Sequence, residues 1–176
     1  MKRIIIIAEI GPNHNGNLNI AKKYVDRISK SGADYIKFQT SIPSDHISKF
    51  AEKAKYQKKN VSNKKETQLE MAKNISLSYK DFLKLNSYCK KKKIKFLTTA
   101  FGLKSLSFIK KFNMDYIKIP SGEINNFEYL KKIPLQKKTQ ILLSTGMSTM
   151  KEISDAIIFL IKRGINKNKI ILLQCT

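Results

Sequence analysis

The feature that most constrains this chain is an alternation of short apolar runs with amphipathic helical stripes, kept almost from end to end. Ile4 to Ala8 is a run rich in β-branched residues and predicts a first strand. Leu18, Ala21, Val25 and Ile28 then recur at helical spacing, and Gly32 closes that helix. Further strands are predicted over Asp34 to Phe38, Ile94 to Thr98, Tyr116 to Ile119, Gln140 to Leu143 and Ile170 to Leu173. Ser78 and Asp81 have capping-box spacing and open a helix whose inner face is Phe82, Leu85 and Cys89. Leu103, Leu106, Ile109 and Phe112 mark another helix, and a short one is expected near Phe127 to Lys132. Thr149 and Glu152 form a capping box before the stripe Ile153, Ala156, Ile157, Leu160 and Ile161, which Gly164 closes. The exception is a polar stretch from Ser41 to about Leu77, with a helix expected around Glu66 to Met71.

Six strands alternating with helices predict a parallel sheet with right-handed crossovers. Continuously apolar strands fit a sheet covered on both faces. Periodicity does not separate a closed barrel from an open, doubly wound sheet. The absence of G-x-G-x-x-G after the first strand speaks against the dinucleotide-binding version.

Parallel α/β folds carry their chemistry at the C-terminal ends of the strands. All six ends here are polar: Glu9 with Gly11 to Gly16, then Lys37, Gln39 and Thr40, then Thr98 to Gly102. Lys118 with Pro120 to Glu123, Ser144 to Met147, and Gln174 to Thr176 complete the set. Several have an ordinary structural reading. Glu9 can cap a helix, His14 and Asn15 can form a turn, and Ser144-Thr145-Gly146 can be a plain strand-to-helix turn. Lys37 and Lys118 resist such a reading. A lysine inside an apolar parallel strand must point into the mouth of the fold or leave a charge buried at high cost. Two lysines, the hydroxyls of Thr99, Ser121 and Ser144, and the N–H groups of glycine turns predict an anion site. The ligand should carry phosphate, carboxylate or both. Glu9 and Glu123 are the candidate acid–base or hydroxyl-binding carboxylates.

Net charge is the one compositional anomaly, at +22 from 35 Lys and Arg against 13 Asp and Glu. The densest stretch is Lys53, Lys55, Lys58, Lys59, Lys64 and Lys65, with Tyr56 its only aromatic. It therefore has no stacking platform of the kind single-strand binders use. Lysine spread over helix faces, in a chain also rich in Ile and Asn, reads as compositional bias rather than nucleic-acid binding. Cys89 and Cys175 have neither disulfide-framework nor zinc spacing, and a reducing compartment fits them. Met1-Lys2-Arg3 before Ile4 to Ile7 resembles the start of a signal peptide, but Glu9 interrupts the apolar region too early. No stretch is long enough to span a bilayer, so the expected location is cytoplasmic and no membrane partner is expected.

Five segments, in order and spacing, resemble the sialic acid synthases, including the N-acetylneuraminate and legionaminic acid synthases. They are Ala8-Glu9-Ile10-Gly11 with Asn13-His14-Asn15-Gly16, Lys37-Phe38-Gln39-Thr40, Glu66 to Met71, Lys118 to Glu123, and Leu143 to Met147. The resemblance implies a (β/α)8 TIM-type barrel, α/β in class. It also implies condensation of phosphoenolpyruvate with an open-chain N-acetylated amino sugar, giving a nine-carbon α-keto acid and phosphate. Lys37, Thr99, Lys118, Ser121 and Ser144 would hold phosphoenolpyruvate. Glu9 would sit at the reacting centre, with Gln39, Asn13 and His14 near the sugar and Glu123 near its hydroxyls. A divalent metal, Mn or Mg, activates the sugar aldehyde in this family.

Some positions depart from the family pattern. Thr98-Thr99-Ala100-Phe101-Gly102 stands where Ser-Thr-Pro-Phe-Asp is usual, and Gln174 stands where His usually precedes Cys-Thr. The expectation is a barrel truncated after strand six, with the metal-binding histidines and a C-terminal antifreeze-like domain lying beyond Thr176. Such a fragment would hold no metal and would be inactive alone. The family is homodimeric. Two alternatives stay open: a legionaminic or pseudaminic acid synthase fragment, and a non-catalytic half-barrel that docks on another chain.

Overall fold

A computed structural model describes residues 4–54, 57, 66–134 and 140–175. Met1 to Arg3, Lys55, Tyr56, Lys58, Lys59, Lys64, Lys65 and Thr176 lie outside the described residues. The strands are β1 (Ile7–Gly11), β2 (Tyr35–Ser41), β3 (Lys95–Phe101), β4 (Tyr116–Ile119), β5 (Gln140–Ser144) and β6 (Ile170–Leu173). The helices are α1 (Leu18–Ile28), α2 (Gln68–Ile75), α3 (Tyr79–Lys91), α4 (Leu103–Phe108), α5 (Phe127–Lys132) and α6 (Met150–Lys162).

All neighbouring strands are parallel, and their spatial order is their chain order, β1-β2-β3-β4-β5-β6. A doubly wound sheet reverses its direction of growth at a switch point. This sheet never does. Right-handed crossovers then put the helices on one face, and the sheet curls into an arc of a barrel. Strand order thus decides the alternative that periodicity left open.

Local sequence explains most element ends. Asn17 caps α1 by accepting the N–H groups of Asn19 and Ile20. Thr149 and Glu152 form the expected reciprocal box at α6. Ser78 caps α3 through the Asp81 N–H, but its hydroxyl bonds the Asp81 carboxylate at 2.7 Å. Asp81 is one methylene shorter than glutamate, and the structure gives its carboxylate no bond back to the Ser78 N–H, so the box is half made.

Several boundaries differ from expectation, among them the helix expected to run from Leu103 to Phe112, which is α-helical only to Phe108. The first strand runs over Ile7–Gly11 rather than Ile4 to Ala8, because pairing starts at Ile7 with Tyr35. Ile4 is 82% exposed, and Ile6 instead accepts the N–H groups of Asp34 and Tyr35. β2 and β3 run further than their apolar cores. Thr40 and Thr98, both fully buried, satisfy one another through a 2.8 Å hydroxyl pair, so polar residues continue the ladder. In the polar stretch, Thr67 and Glu70 form a capping box that starts α2 at Gln68, later than the helix expected from Glu66.

The core lies between the convex face of the sheet and the helices. Phe38, Phe82, Leu85, Leu106, Tyr129, Leu130 and Leu160 are within 1% of complete burial. Tyr129 sends its hydroxyl to the Ala100 carbonyl at 2.8 Å, tying α5 to the end of β3. Tyr129→Phe leaves that buried carbonyl short of a donor. The expected cost is about 1–2 kcal/mol, read as a lower urea midpoint with an unchanged slope.

Candidate active site

The parallel register places the predicted polar residues on one concave face. Residues paired across a ladder share a face, as do residues two apart along a strand. Glu9 pairs with Lys37 and Lys37 with Leu97; Gln39 pairs with Thr99, and Thr99 with Lys118. Lys118 pairs with Leu142, two residues before Ser144. Glu9, Lys37, Gln39, Thr99, Lys118 and Ser144 therefore line the same surface across β1 to β5.

Their contacts form a chain. Lys37 Nζ bonds the Glu9 carboxylate and lies 3.3 Å from Thr99 Oγ1. Gly11 lets Gln39 approach Glu9: a Cβ at Gly11 would sit 3.2 Å from the Gln39 amide nitrogen and 3.3 Å from Glu9 Oε1. Lys118 is 9% exposed and, among the described residues, donates to the Ile119 carbonyl alone, at 3.1 Å. Burial, then the charge of Lys37, pulls its ammonium down from 10.5 to about 8, with Cys175 and Glu9 opposing. A desolvated cation without a close carboxylate is a binding group for an anion.

The turn after Ser144 packs closely against Ser121. Gly146 has φ +51°, and a Cβ there would fall 2.7 Å from Ser121 Cβ. Sequence reasoning left Cys175 out of the site. Burial alone would raise its thiol, but Ser144, the Gly146 N–H, Lys118 and Ser121 outweigh this and lower it. Its position at the end of a predicted strand beside polar residues was the available signal. Thr145, 7% exposed, also joins this end by bonding the Leu173 carbonyl.

The remaining predicted residues stand around this row. Glu123 accepts the Gly102 N–H at 3.3 Å and the Asn126 side chain at 2.7 Å, so both oxygens brace the ends of β3 and β4. Asn13 is exposed on the loop after β1. His14 is 1% exposed, accepts the Gly16 N–H at Nδ1, and among the described residues has no partner at Nε2. Burial lowers its pKa, which favours the neutral ring. Beside it a cavity of about 160 Å³ opens between the loop after β1, the end of β2 and α2. Among the described residues, no three His, Cys, Asp or Glu side chains come together as ligands. By themselves the described residues do not fit a divalent ion. No described helix is long and apolar enough to cross a membrane.

Residues 24–176 match the NeuB family. The chain is 45% identical, over its whole length, to an N,N'-diacetyllegionaminic acid synthase of Campylobacter jejuni, of which it covers 52%. It is 34% identical over 85% of its length to an N-acetylneuraminate-9-phosphate synthase of Drosophila melanogaster, covering 40% of that protein. The chain thus spans about half the length of the curated relatives it matches. Among solved structures, an N-acetylneuraminic acid synthetase from Leptospira borgpetersenii aligns with 99% of the chain and 55% of its own, at TM-score 0.77 and 27% identity. A truncated 3-deoxy-D-arabino-heptulosonate 7-phosphate synthase from Thermotoga maritima shares the fold, at TM-score 0.59 and 19% identity.

Proposed function

The chain belongs to the NeuB family, and from that premise we propose that it carries the phosphoenolpyruvate side of a sugar-acid synthase site. The observation that carries this reading is the pair of lysines, Lys37 and Lys118, on one concave face with Thr99 and Ser144, with Ser121 packed against the Gly146 turn that follows Ser144. Phosphoenolpyruvate has two anionic ends, and this surface offers two cations with hydroxyl donors between and beside them. The acceptor is an N-acetylated amino sugar. The names of the Campylobacter jejuni relative and of a Legionella pneumophila relative, 41% identical, favour the legionaminic acid branch.

In the reaction, the methylene carbon of phosphoenolpyruvate bonds to the aldehyde carbon of the open-chain sugar. One water is taken up and phosphate leaves, so an α-keto acid remains. Lys37, Thr99, Lys118, Ser121 and Ser144 hold the anion. Glu9, bonded to Lys37 at the rim of the row, stands at the reacting centre and can accept a proton. Gln39, on the other side of Glu9, faces the sugar. Glu123, braced in both oxygens, holds the loop where sugar hydroxyls would arrive.

The test is calorimetric titration of phosphoenolpyruvate, followed by phosphate-release assays with a panel of N-acetylated aldoses. Binding is expected, with Lys37→Met weakening it by about 1.5–3 kcal/mol, roughly ten- to hundredfold. Equal affinity in the wild-type and Lys37→Met proteins would sink the assignment of the anion row.

A further inference from the structure

We propose that Cys175 is a thiol-modification site inside the anion row, taking a small disulfide that carries carboxylates, and that the adduct and phosphoenolpyruvate exclude one another. The exclusion rests on the synthase reading above.

The fold puts Cys175 among the anion-binding groups. Ser144 pairs with Leu173 across β5 and β6. The N–H and the hydroxyl of Thr145 bond the Leu173 carbonyl at 3.1 and 3.3 Å, which ties the chain after β6 to the turn after β5. Cys175 follows two residues later, on the side that Ser144 and Leu173 share. Its sulfur is in reach of the Ser144 and Ser121 hydroxyls, the Gly146 N–H and the charge of Lys118. Lys118 marks the same place for an anion independently of the cysteine. It is 9% exposed, and among the described residues its ammonium has one backbone acceptor and no ion-paired carboxylate.

The two cysteines of the chain are chemically unlike. Cys89 is fully buried on the inner face of α3, and burial pushes its thiol up to about 12. Cys175 is partly exposed. Burial opposes its thiolate, but the hydrogen bonds from Ser144, Gly146 and Ser121 and the Lys118 charge outweigh this and lower its pKa. The thiolate is the nucleophile of disulfide exchange, so Cys175 is both open and activated where Cys89 is neither. Its proton goes to water, and its sulfur attacks one sulfur of the disulfide. The old S–S bond breaks as the new one forms, and the other half leaves as a thiolate. A disulfide bearing two carboxylates leaves one of them on the adduct, beside Lys118 and the two serines, where phosphoenolpyruvate would sit. Lys37 and Lys118 also favour its approach over that of a cationic disulfide.

The experiment treats the chain at pH 7 with dithiodiglycolate, a dianion, or cystamine, a dication, and follows each cysteine by peptide mass spectrometry. Rates are referred to the urea-unfolded chain, which carries the same residues and so removes the effect of overall charge. Cys175 is expected to react with dithiodiglycolate about tenfold or more faster than Cys89, and about tenfold faster than with cystamine on the referred scale. Saturating phosphoenolpyruvate should slow that reaction about tenfold, and Lys118→Met about fivefold. The adduct should abolish phosphoenolpyruvate binding in calorimetry, and dithiothreitol should restore it. Equal referred rates for the two disulfides, a rate that Lys118→Met leaves unchanged, or a lack of protection by bound phosphoenolpyruvate would each overturn the modification site. In those cases phosphoenolpyruvate binding by the untreated chain keeps the anion row. Failure of the untreated chain to bind phosphoenolpyruvate removes the synthase reading and the exclusion together.

Discussion

Lys118→Met is expected to weaken phosphoenolpyruvate binding by about thirtyfold or more without lowering the stability of the fold. The residue is 9% exposed, and among the described residues its ammonium has one backbone acceptor and no ion-paired carboxylate. An anion brought to it would make a charge-assisted bond away from water, and losing such a bond costs about 2–5 kcal/mol. Stability should move the other way. The folded value near 8 lies below the ordinary 10.5. Between those pH values the unfolded chain holds a proton that the folded chain has released, so stability rises with pH across that window. At neutral pH the charged group therefore costs folding on the order of 3 kcal/mol, which methionine relieves. Chemical denaturation at pH 7 should show an equal or higher midpoint for the variant.

The same group gives binding a pH signature. The bound anion favours the charged amine, so above about pH 8 binding must take up a proton. Affinity should fall by up to tenfold per pH unit from there, and Lys118→Met should flatten the profile. A wild-type profile that stays level from pH 7 to 9.5 would assign the anion contact elsewhere.

Gly16→Ala should be the most damaging single methyl in the chain. Gly16 has φ +68°, and its added Cβ would fall 2.5 Å from the Asn74 carbonyl oxygen. Backbone is the obstacle, so no side chain can rotate away. The Gly16 N–H also bonds the Ile75 carbonyl at 3.1 Å, which fastens the loop after β1 to the end of α2. Left-handed strain and forced separation together should cost about 3 kcal/mol. For a domain of this size that lowers the melting temperature by roughly 6–12 °C. His14 loses its anchor in the same event, since Gly16 supplies the N–H that its Nδ1 accepts. Sugar binding should therefore suffer more than phosphoenolpyruvate binding, which uses strands on the other side of Glu9. Calorimetry of the two ligands on one preparation reads this difference.

Where the sequence could be read, the signal was local. The stripe from Ile153 to Leu160 and the caps Ser78 and Thr149 involve residues three or four apart, and a helix forms from such contacts. Lys37 and Lys118 stood out because a charge within an apolar strand has few places to go. The start of β1 was misplaced because Ile4 to Ile6 are as β-prone as Ile7, and only the partner strand selects among them. The capping box Thr67-x-x-Glu70 was legible but lay in a polar stretch whose short helix has no fully buried residue to announce it. Cys175 joined the anion cluster through contacts with Ser121 and Ser144, more than 30 residues away in each case, which no local pattern encodes.

By itself, the sequence determined most of the elements, their parallel α/β class and the family, because periodicity and short motifs are properties of neighbouring residues. Only the tertiary structure decided that the strands follow one another in unbroken order as an arc of a barrel. It alone set Glu9, Lys37, Thr99 and Lys118 in register, and it brought α2 against the loop after β1 to enclose the cavity at His14. Those are contacts between distant segments. Their selection depends on which surfaces bury best together, a quantity that belongs to the whole fold and to no window of the chain.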